Sequence, residues 1–210
     1  MSRKNKTVVW LLLFIFLIVV FTSLATYAYF TAREYFYGGF DVEVTSKGVD
    51  TLSFTGNEDA FIEANVNNFA PGIGHDLTAS ANINVKLETT KPESGYCYAM
   101  AIKLPDEVIF EYSNGNVPEL LLNVKKSQDG INYQNVITNM DITQKTGRIK
   151  IPSQESDNNY LNKINTTKNN TKIDYWQADI TLVWFKNVDQ TVNDNKTYEA
   201  TLEAKRVECN

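Results

Sequence analysis

Three features of the sequence predict an all-β chain, an antiparallel β-sandwich of jelly-roll-like arrangement preceded by one N-terminal hydrophobic helix. Beyond residue 40 the apolar residues recur with a period of two. Asn-Gly, Asp-Gly and Thr-Gly steps punctuate the alternating stretches, and one unbroken apolar run stands at the start of the chain.

The apolar run comes first. Residues 7 to 32 carry no formal charge, and Val8 to Phe21 is apolar throughout. As a helix, Val8 to Phe30 would reach roughly 34 Å, enough to cross a hydrocarbon core of about 30 Å. The flank "MSRKNK" is basic and the far flank begins "ARE". The positive-inside rule therefore puts the N-terminus in the cytoplasm and the rest outside. The expected division is a basic stub with a signal or transmembrane helix over 1–30, an aromatic linker over 31–39 ending in Gly38-Gly39, and an extracellular sandwich domain over 40–210.

The strands follow. In "LTASANINVKLETT" Ala79, Ala81, Ile83, Val85 and Leu87 alternate with polar residues, and in "GYCYAMAIKL" Tyr96, Tyr98, Met100, Ile102 and Leu104 share a face. Near the end, "DYWQADITLVWFK" places Trp176, Ala178, Ile180, Leu182 and Trp184 together, and "TYEATLEAKR" does so for Tyr198, Ala200, Leu202 and Ala204. Shorter candidates are "FDVEVTS", "TLSFTG", "AFIEANV", "EVIFEYS", "ELLLNVKK", "INYQNVI" and "GRIKIPS". Asn114-Gly115, Asp129-Gly130 and Thr146-Gly147 supply the positive φ of tight connections. Gln154 to Lys172 is Asn-rich with few apolar residues and reads as a long mobile loop holding one helical turn. About ten strands result. An immunoglobulin subtype is not supported, because the cysteines do not bracket a tryptophan at the usual separation.

Charge and cysteine content narrow the function. Arg3, Lys4 and Lys6 are the basic residues of the leader, which has no acid before Glu34, so 17 basic residues face 25 acidic ones in the remainder, a net of −8. An acidic domain excludes phosphate-backbone binding, which needs clustered Lys and Arg, so no nucleic acid is expected as a partner. The two cysteines, Cys97 and Cys209, would be able to pair in an exported chain and stabilise it by roughly 4 kcal/mol on the loop-entropy model. Free thiols or an intermolecular bridge are the alternatives. No second ligand lies near either at zinc-site spacing.

Catalytic chemistry finds little support. His75, in "APGIGHDLT", is the single histidine, so an HExxH zinc site is excluded. His75 reads as a turn residue beside Pro71, Gly72 and Gly74, and no strand-turn-helix elbow accompanies any serine. The carboxylates mostly alternate with apolar neighbours as the wet face of strands, so no pair stands out for glycoside hydrolysis. "GIG" lacks the strand-helix context of a phosphate cradle. No cofactor is expected. "SDNN" (156–159) and "VDQTVNDN" (188–195) offer oxygen ligands for a structural calcium ion, although solvated turns share that composition and no EF-hand spacing occurs. The N-x-S/T matches at Asn165, Asn169 and Asn195 are what an Asn/Thr-rich sequence produces by chance.

Two resemblances enter here. The charged leader, the apolar run and "ATYAYFTA" resemble the N-termini of TasA/camelysin-type secreted proteins of Gram-positive bacteria, which form biofilm-matrix fibres on a jelly-roll fold. On that resemblance Thr26, Ala28 and Tyr29 form a candidate signal-peptidase site, cut after Ala28; Ser23 and Ala25 supply an alternative cut after Ala25. Members of that group classed as metallopeptidases imply a histidine pair that this sequence lacks. The motifs "YCYAMAIKL", "VPELLLNV", "MDITQKTGRIKI" and "WQADITLVWFKNVDQTVNDNKTYEATL" resemble uncharacterised exported proteins of gut Firmicutes, a likeness that implies location and no activity.

Two functions are expected from this. In one, the chain is a non-enzymatic matrix subunit of fibre type whose released aromatic arm (Tyr29, Phe30, Tyr35, Phe36, Tyr37 and Phe40) adds as a strand to a neighbour. In the other, it is an uncut, membrane-anchored module that binds a glycan or a host surface protein. The first leaves the protein secreted and self-associating. The second keeps it in the cell membrane with the domain outside.

Overall fold

The computed structural model describes residues 50–69, 74–113, 117–155 and 157–209. The signal or transmembrane helix, the cleavage site, the aromatic arm, the strand expected at "FDVEVTS" and the Asn114-Gly115 turn lie outside the described residues. Among the described residues no helix is long and apolar enough to cross a membrane.

Ten strands and one short 3-10 turn, Thr191–Asn193, make up the regular structure of this region. In chain order they are β1 Asp50–Thr55, β2 Asp59–Ala64, β3 Leu77–Thr89, β4 Glu93–Lys103, β5 Leu120–Ser127, β6 Gln134–Asp141, β7 Arg148–Ile151, β8 Asn162–Thr167, β9 Thr171–Leu182 and β10 Lys196–Val207. One sheet has the order β1-β3-β9-β5-β6. The other runs β2-β10-β4-β7, with β8 also paired to β4. Every pairing is antiparallel. Strands β2, β8 and β10 pack across the interior on β3 and β9, so the architecture is a two-sheet sandwich. Most connections pass from one sheet to the other; β5 and β6 form the hairpin within a sheet.

The period of two does what it predicts. Ala81, Ile83, Val85 and Leu87 of β3, Tyr98, Met100 and Ile102 of β4 with Leu104 just beyond it, Trp176, Ala178, Ile180 and Leu182 of β9, and Tyr198, Ala200 and Leu202 of β10 are all buried in one core. Gly130 and Gly147 both have φ of 75°, the left-handed conformation expected of the Asp-Gly and Thr-Gly turns. Asn169 and Asn195, two of the N-x-S/T asparagines, adopt the same region at φ 61° and 55° and serve as turn residues.

Two expectations require correction. Gln154 to Lys172 is not one long loop with a helical turn: it contains β8, hydrogen-bonded along Glu93–Tyr98 of β4, then a short turn into β9. The strand escaped notice because its inward side chains are Asn162 and Ile164, so it contributes a single apolar residue to the pattern. "EVIFEYS" is not a strand. Its Phe110 is fully buried and stacks on Tyr198 at 5.8 Å, while the backbone around it bonds to side chains, Glu111 N–H to Asn193 and Ser113 N–H to Glu119. An apolar pair anchored in a loop imitates a short strand.

Parity fails instructively at two places. Cys97 points away from the core by alternation yet is 2% exposed, because the chain end returns over it and Cys97 and Cys209 are joined in a disulfide, Cα atoms 5.2 Å apart. Trp184 lies beyond the end of β9, half-buried, with its indole against Gly74 and its backbone N–H donated to Asp76.

Candidate functional site

β7 and β8 lie one after the other along the same edge of β4: β7 pairs with Met100–Lys103 and β8 with Glu93–Tyr98. Between them the chain leaves the sheet over residues 152–155 and 157–161. This loop and the β5–β6 connection line a polar cleft of about 1200 Å³. That is larger than the roughly 300–1,000 Å³ of ordinary ligand pockets.

The walls are set by local side-chain bonding. On one side Asp129 accepts from Ser127 Oγ, from the backbone N–H groups of Ile131 and Asn132, and from Asn132 Nδ2, which folds the β5–β6 connection into a compact turn. These donors hold its carboxyl far below the usual carboxylate range, the Asn132 backbone first. On the other side Asp157 accepts from Asn159 N–H and Ser153 Oγ, and both depress its pKa. Glu155 takes the Thr138 hydroxyl. The three carboxylates of the walls are thus occupied, whereas the side chains of Gln134, Asn135 and Lys163, which also line the cleft, have no partner among the described residues.

The floor is a charged cluster that spans both sheets. Lys126 of β5 places Nζ 2.9 Å from Asp174 Oδ2 of β9 and donates to Asn162 Oδ1 of β8 at 3.3 Å. The Asp174 side chain is 2% exposed, that of Lys126 17%, and Asn162 as a residue 2%. Tyr98 of β4, directly opposite Asn162 in the β4–β8 register, donates its hydroxyl to Asp174, and Trp176 Nε1 donates to the Tyr98 oxygen at 3.0 Å. Both rings also face the ammonium, with Nζ 5.1 Å from the Trp176 centroid and 5.7 Å from that of Tyr98. Burial, then the Asp174 charge, push the Tyr98 phenol far above its ordinary pKa, so it stays a donor. Lys126 fixes the Asn162 amide: the carbonyl oxygen faces the cation, and the amide nitrogen, buried, has no partner among the described residues.

No family model matches the chain, and no curated protein matches it. Among solved structures, the infectious bursal disease virus VP2 subviral particle aligns over 79% of this chain and 35% of the viral one, at 15% identity and a TM-score of 0.29. The chain thus spans about a third of the length of that viral chain. TmCBM61 in complex with β-1,4-galactotriose aligns over 81% and 95%, at 11% identity and a TM-score of 0.23. CBM32-1 from a family 31 glycoside hydrolase of Clostridium perfringens aligns over 62% and 77%, at 16% identity and a TM-score of 0.19. Superpositions at these scores assign neither a fold family nor a ligand.

The residues singled out by sequence fall elsewhere. His75 is exposed, and its N–H is bonded to Asn68 O, in keeping with a turn role. The oxygens proposed for calcium serve local bonds: Asp189 takes both Thr191 donors, Asn193 Oδ1 takes Glu111 N–H, and Asp194 takes Asn195. Among the described residues no three His, Cys, Asp or Glu side chains cluster as a metal site. Cys97 and Cys209 lie on the outer side of β4 and line no part of the cleft. Sequence reasoning missed Lys126, Asn162 and Asp174. For two of them a signal existed: Lys126 shares the inward parity of Leu120, Leu122 and Val124, and Asp174 that of Trp176 and Ala178.

Proposed function

We propose that the chain is an exported, non-enzymatic β-sandwich of jelly-roll type from a Gram-positive-type bacterium, and that its cleft binds a glycan. The cleft carries this reading. Side-chain amides with both a donor and an acceptor, at Gln134 and Asn135, and the ammonium of Lys163 suit vicinal hydroxyls. The wall carboxylates, already bonded, leave donors in excess, which favours a ligand whose hydroxyl oxygens accept over a cationic one. The N-terminal segment delivers the domain across the membrane, where it is held at the surface or released. The test is a glycan array on the full chain, followed by titration calorimetry of the hits. Asn135→Ala and Lys163→Ala should each weaken binding about fivefold to thirtyfold, the worth of one hydrogen bond to a polar or charged group. An array without hits, or hits indifferent to both changes, would overturn it.

A second reading is favoured by the leader order and by seven aromatic residues between Tyr27 and Phe40: a matrix subunit whose cut arm joins neighbouring copies. Sequencing the N-terminus of the native protein and sizing it at high concentration tests this. A chain beginning at Met1 in the membrane fraction, or a cut chain that stays monomeric, would rule the arm out.

A further inference from the structure

We propose that Lys126 and Asn162 become covalently joined by an isopeptide bond that the folded protein forms on itself, with Asp174 carrying the proton. This goes beyond ligand binding in the cleft and does not depend on it.

The three groups are those an amide exchange requires. An amine must meet an amide carbon, and a base must relay protons. Lys126 Nζ lies 3.3 Å from Asn162 Oδ1, and the amide carbon is about 1.2 Å from that oxygen, so a small side-chain adjustment brings nitrogen onto carbon within the roughly 3–3.5 Å of a near-attack arrangement. Asp174 Oδ2 is 2.9 Å from the same Nζ. Tyr98 and Trp176 flank the amine, and Tyr98 orients the carboxylate by its hydroxyl. The Asn162 amide nitrogen is buried without a hydrogen-bond partner. Buried side-chain nitrogens in settled structures are bonded. Here the unbonded atom is the one that would leave, and its departure breaks no other interaction.

The chemistry balances without an oxidant or co-reactant. Asp174 takes a proton from the Lys126 ammonium, and the freed Nζ pair attacks Asn162 Cγ to give a tetrahedral adduct. Asp174 returns that proton to Nδ2 and accepts the one that Nζ sheds. The Cγ–Nδ2 bond breaks as Cγ–Nζ becomes an amide, and the surplus proton departs with the ammonia as ammonium. One C–N bond forms and one breaks. The product links β5 of one sheet to β8 of the other, and its new N–H still faces Asp174, so the carboxyl group keeps a donor after the cation is gone.

A plain ion pair is the competing account. It explains Lys126, Asp174 and the carbonyl oxygen of Asn162, but not the amide nitrogen buried beside them without a partner among the described residues.

The test is intact-mass and peptide mapping of the full wild-type chain, with the disulfide reduced and the N-terminus read from its own peptide. The expected result is a chain lighter than its sequence by one ammonia, no tryptic cleavage after Lys126, and one branched peptide joining Lys126 to Asn162. Lys126→Arg keeps the charge beside Asp174 and removes the nucleophile, so it should retain the full mass while folding. If that variant does not fold, Asn162→Ala serves the same purpose, and the wild-type map decides in any case. A folded wild-type chain that keeps its full mass and cleaves normally after Lys126, even after prolonged incubation at neutral pH, would overturn the proposal.

Discussion

Glu119 offers the sharpest stability test, because it is a carboxylate at 0% exposure that pairs with no cation among the described residues. It accepts from Ser113 N–H at 2.7 Å, Gln190 Nε2 at 3.0 Å and Asn193 Nδ2. Gln190 also donates to Val183 O and takes Phe185 N–H, and Asn193 holds the Glu111 backbone at both its N–H and its carbonyl. One carboxylate thus fastens the 105–113 segment to the 183–195 loop. Glu119→Ala strands three hydrogens in places closed to water. At about 1–3 kcal/mol for each buried donor left unpaired, and with the avoided burial of the carboxylate offsetting part of that, the net loss is about 3–5 kcal/mol. Glu119→Gln keeps one acceptor but turns an NH2 toward the donors, for a loss of about 2 kcal/mol. Urea unfolding of the disulfide-intact chain measures both, with the midpoint falling and the slope unchanged. An alanine variant within 1 kcal/mol of wild type would refute the view that this carboxylate organises the two loops.

The remaining predictions are briefer. Burial alone would raise the Asp50 pKa, but the Lys91 ammonium and the hydroxyls of Thr89, Ser94 and Tyr96 outweigh it and hold the group down at about 2. A depressed folded pKa means the stabilisation is present above the unfolded value near 4 and is lost as pH falls toward 2. Lys91 is 44% exposed, so solvent screens the pair, and Asp50→Asn should cost about 1–2 kcal/mol at pH 7 and flatten the acid limb of the stability curve between pH 4 and 2. Opening the Cys97–Cys209 bridge, which spans 112 positions, should lower stability by roughly 4–5 kcal/mol on the loop-entropy model, read as a drop in denaturation midpoint with reductant and reproduced by Cys97→Ser. Gly147→Ala meets no atom within 4 Å and should lose only about 1 kcal/mol, through its φ of 75°. Gly56→Ala would drive its Cβ into the Asn82 carbonyl oxygen and should lose clearly more in the same urea unfolding.

The sandwich was legible because both sheets obey a period of two, and most turns announce themselves by Gly or Asn. What was illegible has a common physical cause: backbone partners are not written in side-chain pattern. β8 is a strand because β4 offers it a free edge, and it needs only Ile164 as an apolar anchor. The 105–113 segment is a loop because Glu119 and Asn193 take the N–H groups that a ladder would use. Glu119 itself, one residue before the inward Leu120, gives no parity signal at all.

The cluster beneath the cleft is different, since Lys126 and Asp174 break the alternation at inward positions of strands otherwise filled by Leu, Val, Ala and Trp. A buried charge pair is a poor source of stability: apolar residues of similar size would serve the fold as well or better. Such a pair persists where it does something apolar residues cannot. Held between two aromatic rings, against an asparagine whose amide nitrogen is unbonded, it is placed to react, and a covalent tie there would join the two sheets at the end where the chain interrupts β4's edge. The disulfide already closes the other side of β4. Lys126→Arg separates the two closures: the variant should keep the disulfide yet fall about 2–4 kcal/mol below the cross-linked wild type in urea unfolding, and lose resistance to protease at the β5–β8 end first.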